Sequence, residues 1–206
     1  MGGSDRVKRV IGLTGNIAVG KSLALAMLAE LGAATIDADA VAHQVLRKGG
    51  AAYAPVVEAF GSGILGADGE IERSALGAIV FADEAALRRL EAISHPAVRR
   101  EIRRMVMEAE ADVVVIEAIK LLEGELKEQV DAVWVVNASE ARRLERLMEA
   151  RGMSRAEAAR RIALQNSQAE KVRRADVVIE NEGDIEALRA QVAQEWDRFT
   201  TEGTED

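Results

Sequence analysis

Three observations in the 206-residue chain predict an α/β fold with a parallel sheet. Short β-branched runs alternate with longer helical stretches. Two of the runs, "DVVVIEA" and "DAVWVVN", are almost continuously Val and Ile, and a glycine-bounded loop joins the first run to the first helix. Apolar runs of that kind suit strands buried on both faces, with the helices between them as crossovers.

Strands are expected at Arg9–Thr14, Ala34–Asp37, Val113–Glu117, Val130–Val136 and Asp176–Glu180. After the first, Gly15 to Ser22 reads G-N-I-A-V-G-K-S and fits the phosphate-loop pattern G-x-x-x-x-G-K-[ST]. The pattern needs a strand before it and a helix after it; Val10 to Leu13 and the Ala- and Leu-rich Leu23 to Leu31 supply them. Gly15 and Gly20 permit backbone angles that let successive N–H groups point at anionic oxygens. The helix adds its positive N-terminal end. Lys21 can reach the β and γ phosphates of ATP, and the Ser22 hydroxyl is placed to ligate Mg²⁺. The expected nucleotide-binding positions are Gly15, Asn16, Ala18, Val19, Gly20, Lys21, Ser22 and Leu23. The bland alternative is a flexible glycine turn.

The second strand ends in Asp37-Ala38-Asp39. Strand alternation would put both carboxylates on one side, near the γ-phosphate position. One could orient a hydroxyl nucleophile or take its proton, and the other could support Mg²⁺ waters. For Asp37 the competing reading is a helix N-cap. Between the second and third strands, Ala38 to Asp112 contains no comparable run. "ALRRLEAISHPAVRREIRRMVMEAEA" has helical spacing and "GSGILGADGE" reads as a loop. An insertion at the carboxyl end of a strand is where a second substrate sits in an open sheet.

Arg142 to Arg174 carries ten basic and four acidic residues, a net of +6 that leaves -14 for the rest of a chain whose net charge is -8. Ser139 can cap one helix, Gly152 can end it, and Ser154-Arg155-Ala156-Glu157 is a capping box that opens the next. The expected basic hairpin could close as a lid over a triphosphate. It could instead be a solvated face with pairs such as Arg142 with Glu145 and Arg146 with Glu149.

Composition bounds the rest. With 49% hydrophobic residues the chain can bury a real core, and it suggests one compact domain with insertions. The negative charge argues against a general nucleic-acid binder. There is no cysteine, and two histidines make a histidine zinc site improbable. No run approaches a membrane span. The N-terminal Met-Gly-Gly-Ser-Asp-Arg lacks a secretion signal and has Arg6 where myristoylation wants Ser or Thr, so a cytoplasmic protein is expected. The tail "TTEGTED" is expected to fray.

Taken together, "GLTGNIAVGKS", "IDADAVAHQVL", "HPAVRREI", "RRIALQN" and "ADVVIENEG" resemble the dephospho-coenzyme A kinase family, along nearly the whole chain. The resemblance implies a P-loop fold like that of nucleoside monophosphate kinases, with a five-stranded parallel core, a helical acceptor region and a helical lid. On this chain the core would be 8–40, 110–140 and 172–200, the acceptor region 41–109 and the lid 141–171. The implied reaction passes the γ-phosphoryl of ATP, with Mg²⁺, to the 3′-hydroxyl of dephospho-CoA. The family's proposed base falls on Asp39, its lid arginine on Arg161 and its adenine-side asparagine on Asn181.

The chain departs from the family's frequent G-G-I-G-S-G-K-S-T at Asn16, Ala18, Val19 and Leu23. It also has "IEAIKLLEG" where an Asp followed by Val-Pro-Leu-Leu is common. Glu117 keeps an acid where a Mg²⁺ water would be held. Lys120 either contacts an anionic group of the acceptor or faces solvent at a helix start. His95 either contacts the acceptor or marks a helix junction before Pro96. The rival functions are another small-molecule P-loop kinase and a GTP-dependent switch, although Asn181-Glu182-Gly183-Asp184 lacks the lysine of a guanine-reading N-K-x-D.

Overall fold

A computed structural model describes residues 8–202. The N-terminal segment read for targeting signals (residues 1–6) and residues 203–206 of the acidic tail lie outside the described residues. Thr200 and Thr201, which open that tail, are not frayed; they complete the last helix. The chain forms two compact units, 8–35 with 109–202 and 36–108.

The first unit is built on the sheet. The sheet's strands are β1 (Arg9–Thr14), β2 (Ala34–Asp37), whose last two residues open the second unit, β3 (Val113–Glu117), β4 (Ala132–Asn137) and β5 (Val177–Glu180), in the order β2-β3-β1-β4-β5. β1 pairs in parallel with β3 and β4, and β4 in parallel with β5, so Ile11 lies opposite Val115 on one side and Ala132 on the other. Val113–Ile116 and Val133–Val136 are buried throughout, as continuous apolar runs require. β4 begins two residues later than its apolar pattern suggests. Val130 closes a 3-10 turn, and the Asp131 carboxylate accepts the Val10 N–H at 2.6 Å.

Leu13, Met27, Trp134, Ile179, Leu188 and Phe199 form the main core between the sheet, α1 (Lys21–Glu30) and α9 (Ile185–Thr201). Phe199 meets Trp134 edge-on at 6.1 Å, and the Arg9 guanidinium lies 3.8 Å over the Phe199 ring, which ties the end of α9 to the start of β1.

The basic segment forms α6 (Glu140–Arg151), α7 (Arg155–Ala163) and α8 (Gln168–Arg173). The caps are those read from sequence. Ser139 and Ser154 accept the N–H groups of Arg142 and Glu157, and Gly152 ends α6 in the left-handed region at φ 61°. Leu144, Leu147, Ala158 and Ile162 close a small core of their own, and Ile17 and Ala18 of the phosphate loop pack against it.

The second unit is helical, with α2 (Ala38–Val45), α3 (Tyr53–Phe60) and α4 (Arg73–Ala82) packed on the 25-residue α5 (Glu84–Glu108). The helix junction considered at His95 does not form, because α5 runs through Pro96. Pro96 lacks the N–H that would reach the Ala92 carbonyl. Packing on both sides of that position, with Ala86 buried before it and Ala97 and Ile102 after it, keeps the helix continuous. "GSGILGADGE" is also more ordered than a glycine count suggests. The fully buried Ile64 anchors a 3-10 turn, Ser62–Ile64, and Leu65 and Ile71 form an antiparallel bridge.

Candidate active site

Gly20 is the N-cap of α1 at φ 94°, a left-handed conformation that disfavours any side chain. A Cβ there would also stand 2.0 Å from the Asn181 amide nitrogen. α1 has no side-chain cap and no acid in its first turn. Its orphan N–H groups and positive end therefore face the loop cavity, which is what an anion requires. That cavity measures about 500 Å³, and Gly15, Asn16, Ala18, Gly20, Lys21, Ser22 and Leu23 line it, with Ile119, Arg151 and Gln165 across from them. Lys21 forms an ion pair with Glu117 at the end of β3, both side chains largely enclosed.

Val19 does not line the cavity. Its side chain is fully buried in the main core, and its carbonyl accepts the Asn181 Nδ2–H at 2.8 Å. Asn181 is 5% exposed, and its Oδ1 accepts from Arg146 at 3.0 Å, so its amide is engaged in holding the loop. Ala18 adopts φ 63°, the one non-glycine residue at positive φ among the described residues. Its half-buried side chain on the hairpin core accounts for an alanine at a glycine-favouring position.

The hairpin reads the loop backbone through side chains. Gln168 Oε1 accepts the Asn16 N–H at 3.0 Å, and Gln165 Oε1 accepts the Ile17 N–H at 2.7 Å. Arg143 Nε donates to the Ile17 carbonyl at 2.9 Å, and Arg146 donates to the Ala18 and Val19 carbonyls at 3.2 and 3.3 Å. Asn16 is nearly buried and donates to the Asn166 carbonyl at 2.6 Å. Burial lowers the pKa of Arg143 below the ordinary value, against the opposing charge of Glu140, and burial likewise lowers that of Arg146. Sequence reasoning missed Arg143, Arg146, Gln165 and Gln168. The signals for them were the crowding of the arginines into the basic segment and, for Gln165, its place in "RRIALQN".

The turn after β3 is fastened to α8. The buried Lys171 ammonium donates to the Ile119 carbonyl at 2.5 Å and to Glu123 at 3.1 Å, while Asn166 donates to Glu123 at 2.9 Å. Burial by itself disfavours the Glu123 carboxylate, but the bonds from Asn166 and Lys171 and the lysine's charge together hold its pKa below the ordinary value. Lys120 lies exposed in this turn. No helix starts there, because Lys120 sits within the turn and the next helical turn opens only at Glu125.

The other expected site residues stand as follows. Arg161 is half-exposed and pairs with Glu157 one turn away on α7; Arg142 pairs with Glu145, whereas Arg146 turns to the loop instead of to Glu149. The Asp37 side chain caps α2, accepting the Ala40 N–H at 2.9 Å. Asp39 lies in the first turn of α2, so strand alternation does not relate it to Asp37. The Asp37 cap starts the helix one residue after the strand. His95 is exposed on α5. The second unit holds its own cavity of about 710 Å³, lined by His43, Arg47, Glu70 and Arg73 with apolar Leu46 and Leu76 among others.

Among the described residues no group of three or more acids or histidines forms a ready metal site, and no helix is long and apolar enough to cross a membrane. A five-stranded sheet with this loop at the end of β1, a lysine at the open helix start and arginines beside it defines a P-loop phosphotransferase, an enzyme that uses a nucleotide as phosphoryl donor. The family model for dephospho-CoA kinase matches residues 9–187, and the chain belongs to that family. A dephospho-CoA kinase of Symbiobacterium thermophilum is 47% identical over 91% of this chain and 80% of its own length. One from Carboxydothermus hydrogenoformans is 45% identical over 91% and 94%. The solved dephospho-CoA kinase from Campylobacter jejuni superposes with a TM-score of 0.69 at 25% identity, covering 96% of this chain and all of that one.

Proposed function

We propose that the chain is a cytoplasmic enzyme that transfers the γ-phosphoryl group of ATP to the ribose 3′-hydroxyl of dephospho-CoA, giving coenzyme A and ADP. The observation that carries this reading is the uncapped start of α1 at the phosphate-loop cavity, with Lys21 at its mouth, in a chain of this family. Residues 8–40, 110–140 and 172–200 act as the nucleotide core, 141–171 as the lid and 41–109 as the acceptor region. The cavity in the helical unit, whose lining includes Arg47 and Arg73 together with Leu46, Ile71 and Leu76, supports the last assignment, since the acceptor combines a diphosphate with an uncharged arm.

In the proposed step the bond between the 3′-oxygen and the γ-phosphorus forms as the bond from that phosphorus to the β–γ bridging oxygen breaks. Asp39 orients the hydroxyl and takes its proton, and Asp37 keeps α2 in place through its cap. Lys21 leaves Glu117 to neutralise charge on the β and γ phosphates, and the loop N–H groups fix their position. The Ser22 hydroxyl and the Glu117 carboxylate are hard oxygen donors suited to Mg²⁺ and its waters. Bound there, the ion would supply charge neutralisation to the triphosphate. Arg161, His95 and Lys120 are assigned to lid and acceptor contacts, and Asn181 to the adenine side.

The test is ADP release with Mg²⁺ and ATP, with and without dephospho-CoA, followed by mass analysis of the acceptor. Acceptor-dependent ADP and one added phosphate on dephospho-CoA are expected. ATP binding without turnover would overturn the acceptor assignment, and a panel of nucleoside monophosphates and sugars would replace it.

A further inference from the structure

We infer that Arg143 is a positioning residue for the nucleotide: buried beneath the phosphate loop, it fixes the Ile17 peptide and supplies an unneutralised positive charge to the phosphate cavity. The inference rests on the reading of that cavity as the ATP site. Arg143 is 4% exposed. Its acceptors are neutral, the Ile17 carbonyl at 2.9 Å and Gln165 Oε1 at 3.4 Å. Among the described residues no carboxylate pairs with it, and Glu140, three residues earlier on α6, acts on it only through space.

Placing a guanidinium out of water opposite neutral groups is costly. The same region shows how the cost is otherwise met, since the equally buried Lys171 is neutralised by Glu123. Beneath the loop, the residue facing Arg143 is an amide, Gln165, where a carboxylate would complete the pair. Arg146, which also bonds the loop backbone, is only partly buried, so water shares in solvating its charge, and the charges of Arg142, Glu182 and Glu145 act on it through space.

Among the described residues, Arg143 is therefore the basic group at the loop that is fully enclosed without an acid partner. The two groups it bonds, Ile17 and Gln165, both line the cavity. An anion seated there completes the electrostatics that the fold leaves open. At a separation of about 10 Å and an effective dielectric near 20, one such charge changes the affinity for each unit of anionic charge by about tenfold.

The experiment is calorimetric titration with Mg·ATP of wild type, Arg143→Lys, Arg143→Gln and Arg143→Met, with steady-state kinetics for both substrates. Lysine keeps the charge, glutamine keeps an N–H donor without charge, and methionine keeps neither. Arg143→Lys should bind within about threefold of wild type, and both neutral variants about a hundredfold more weakly, roughly tenfold for each of the two net negative charges of Mg·ATP. KM for ATP should follow, with KM for dephospho-CoA unchanged. If Arg143→Gln binds Mg·ATP as tightly as wild type, or Arg143→Lys as weakly as Arg143→Met, the inference fails. Should Arg143→Met not fold, the lysine and glutamine variants decide alone. Wild-type protein that binds no Mg·ATP would overturn the ATP reading itself.

Discussion

Glu123→Ala removes the carboxylate that faces the Lys171 ammonium at 3.1 Å, and it leaves that ammonium with the Ile119 carbonyl at 2.5 Å. Breaking a fully buried pair from one side costs about 3–5 kcal/mol. Here the lysine side chain is 3% exposed but the glutamate 28%, so water reaches the vacated position and a loss of about 2–3 kcal/mol is expected. For a chain of this length that is a fall in thermal midpoint of about 4–12 °C at pH 7, read by circular dichroism. Lys171→Met removes the charge together with its need for a partner. A double-mutant cycle should therefore give a coupling of about 1–2 kcal/mol. Because the pKa of Glu123 is lowered from the ordinary 4.5, its contribution is complete above that pH and is lost as pH falls toward the lower folded value. The gap between wild type and Glu123→Gln should narrow on acidification below 4.5. A midpoint within 2 °C of wild type, roughly 1 kcal/mol or less, or strictly additive single changes, would refute the reasoning.

Two further changes act on the loop itself. Gly20→Ala puts a methyl 2.0 Å from the Asn181 amide at a backbone angle of 94°, so it should displace Asn181 from the Val19 carbonyl and lower kcat/KM for ATP by roughly a hundredfold or more. A variant with near-normal kcat/KM would show that Asn181 does not set the loop. Lys21→Met removes the charge that now pairs with Glu117, and kcat should drop by about 10²–10³ in steady-state assays; an unchanged kcat would remove Lys21 from the chemistry.

The parts of the fold legible in the sequence were those with local causes. Val113–Glu117 reads as a buried strand because four adjacent Val and Ile leave no polar face, and the hairpin helices start and stop where Ser139, Gly152 and Ser154 place their caps. The phosphate loop was legible for the same reason, its whole pattern lying within eight residues. The contacts that hold the loop were not. Arg143 meets Ile17 across 126 positions and Gln168 meets Asn16 across 152, and nothing local separates those side chains from the exposed Arg142 or Arg173 nearby. Asp39 was misread as a strand residue because the alternation rule was carried past Asp37, where the helix cap had already changed the period from 2.0 to 3.6.

Ile17 and Ala18 rest on the small core of α6 and α7, while Val19 is rooted in the main core beside the sheet. Successive residues of one loop are thus inherited from two separate packing environments. A close-packed interior passes a change in volume to its neighbours, so a larger residue at the wholly enclosed Ala158 should press on the small core against which Ile17 and Ala18 pack. Homologues that enlarge that position should carry compensating changes at 17 or 18, and the alanine at 18 is then half of a matched set with the hairpin rather than a tolerated departure from glycine.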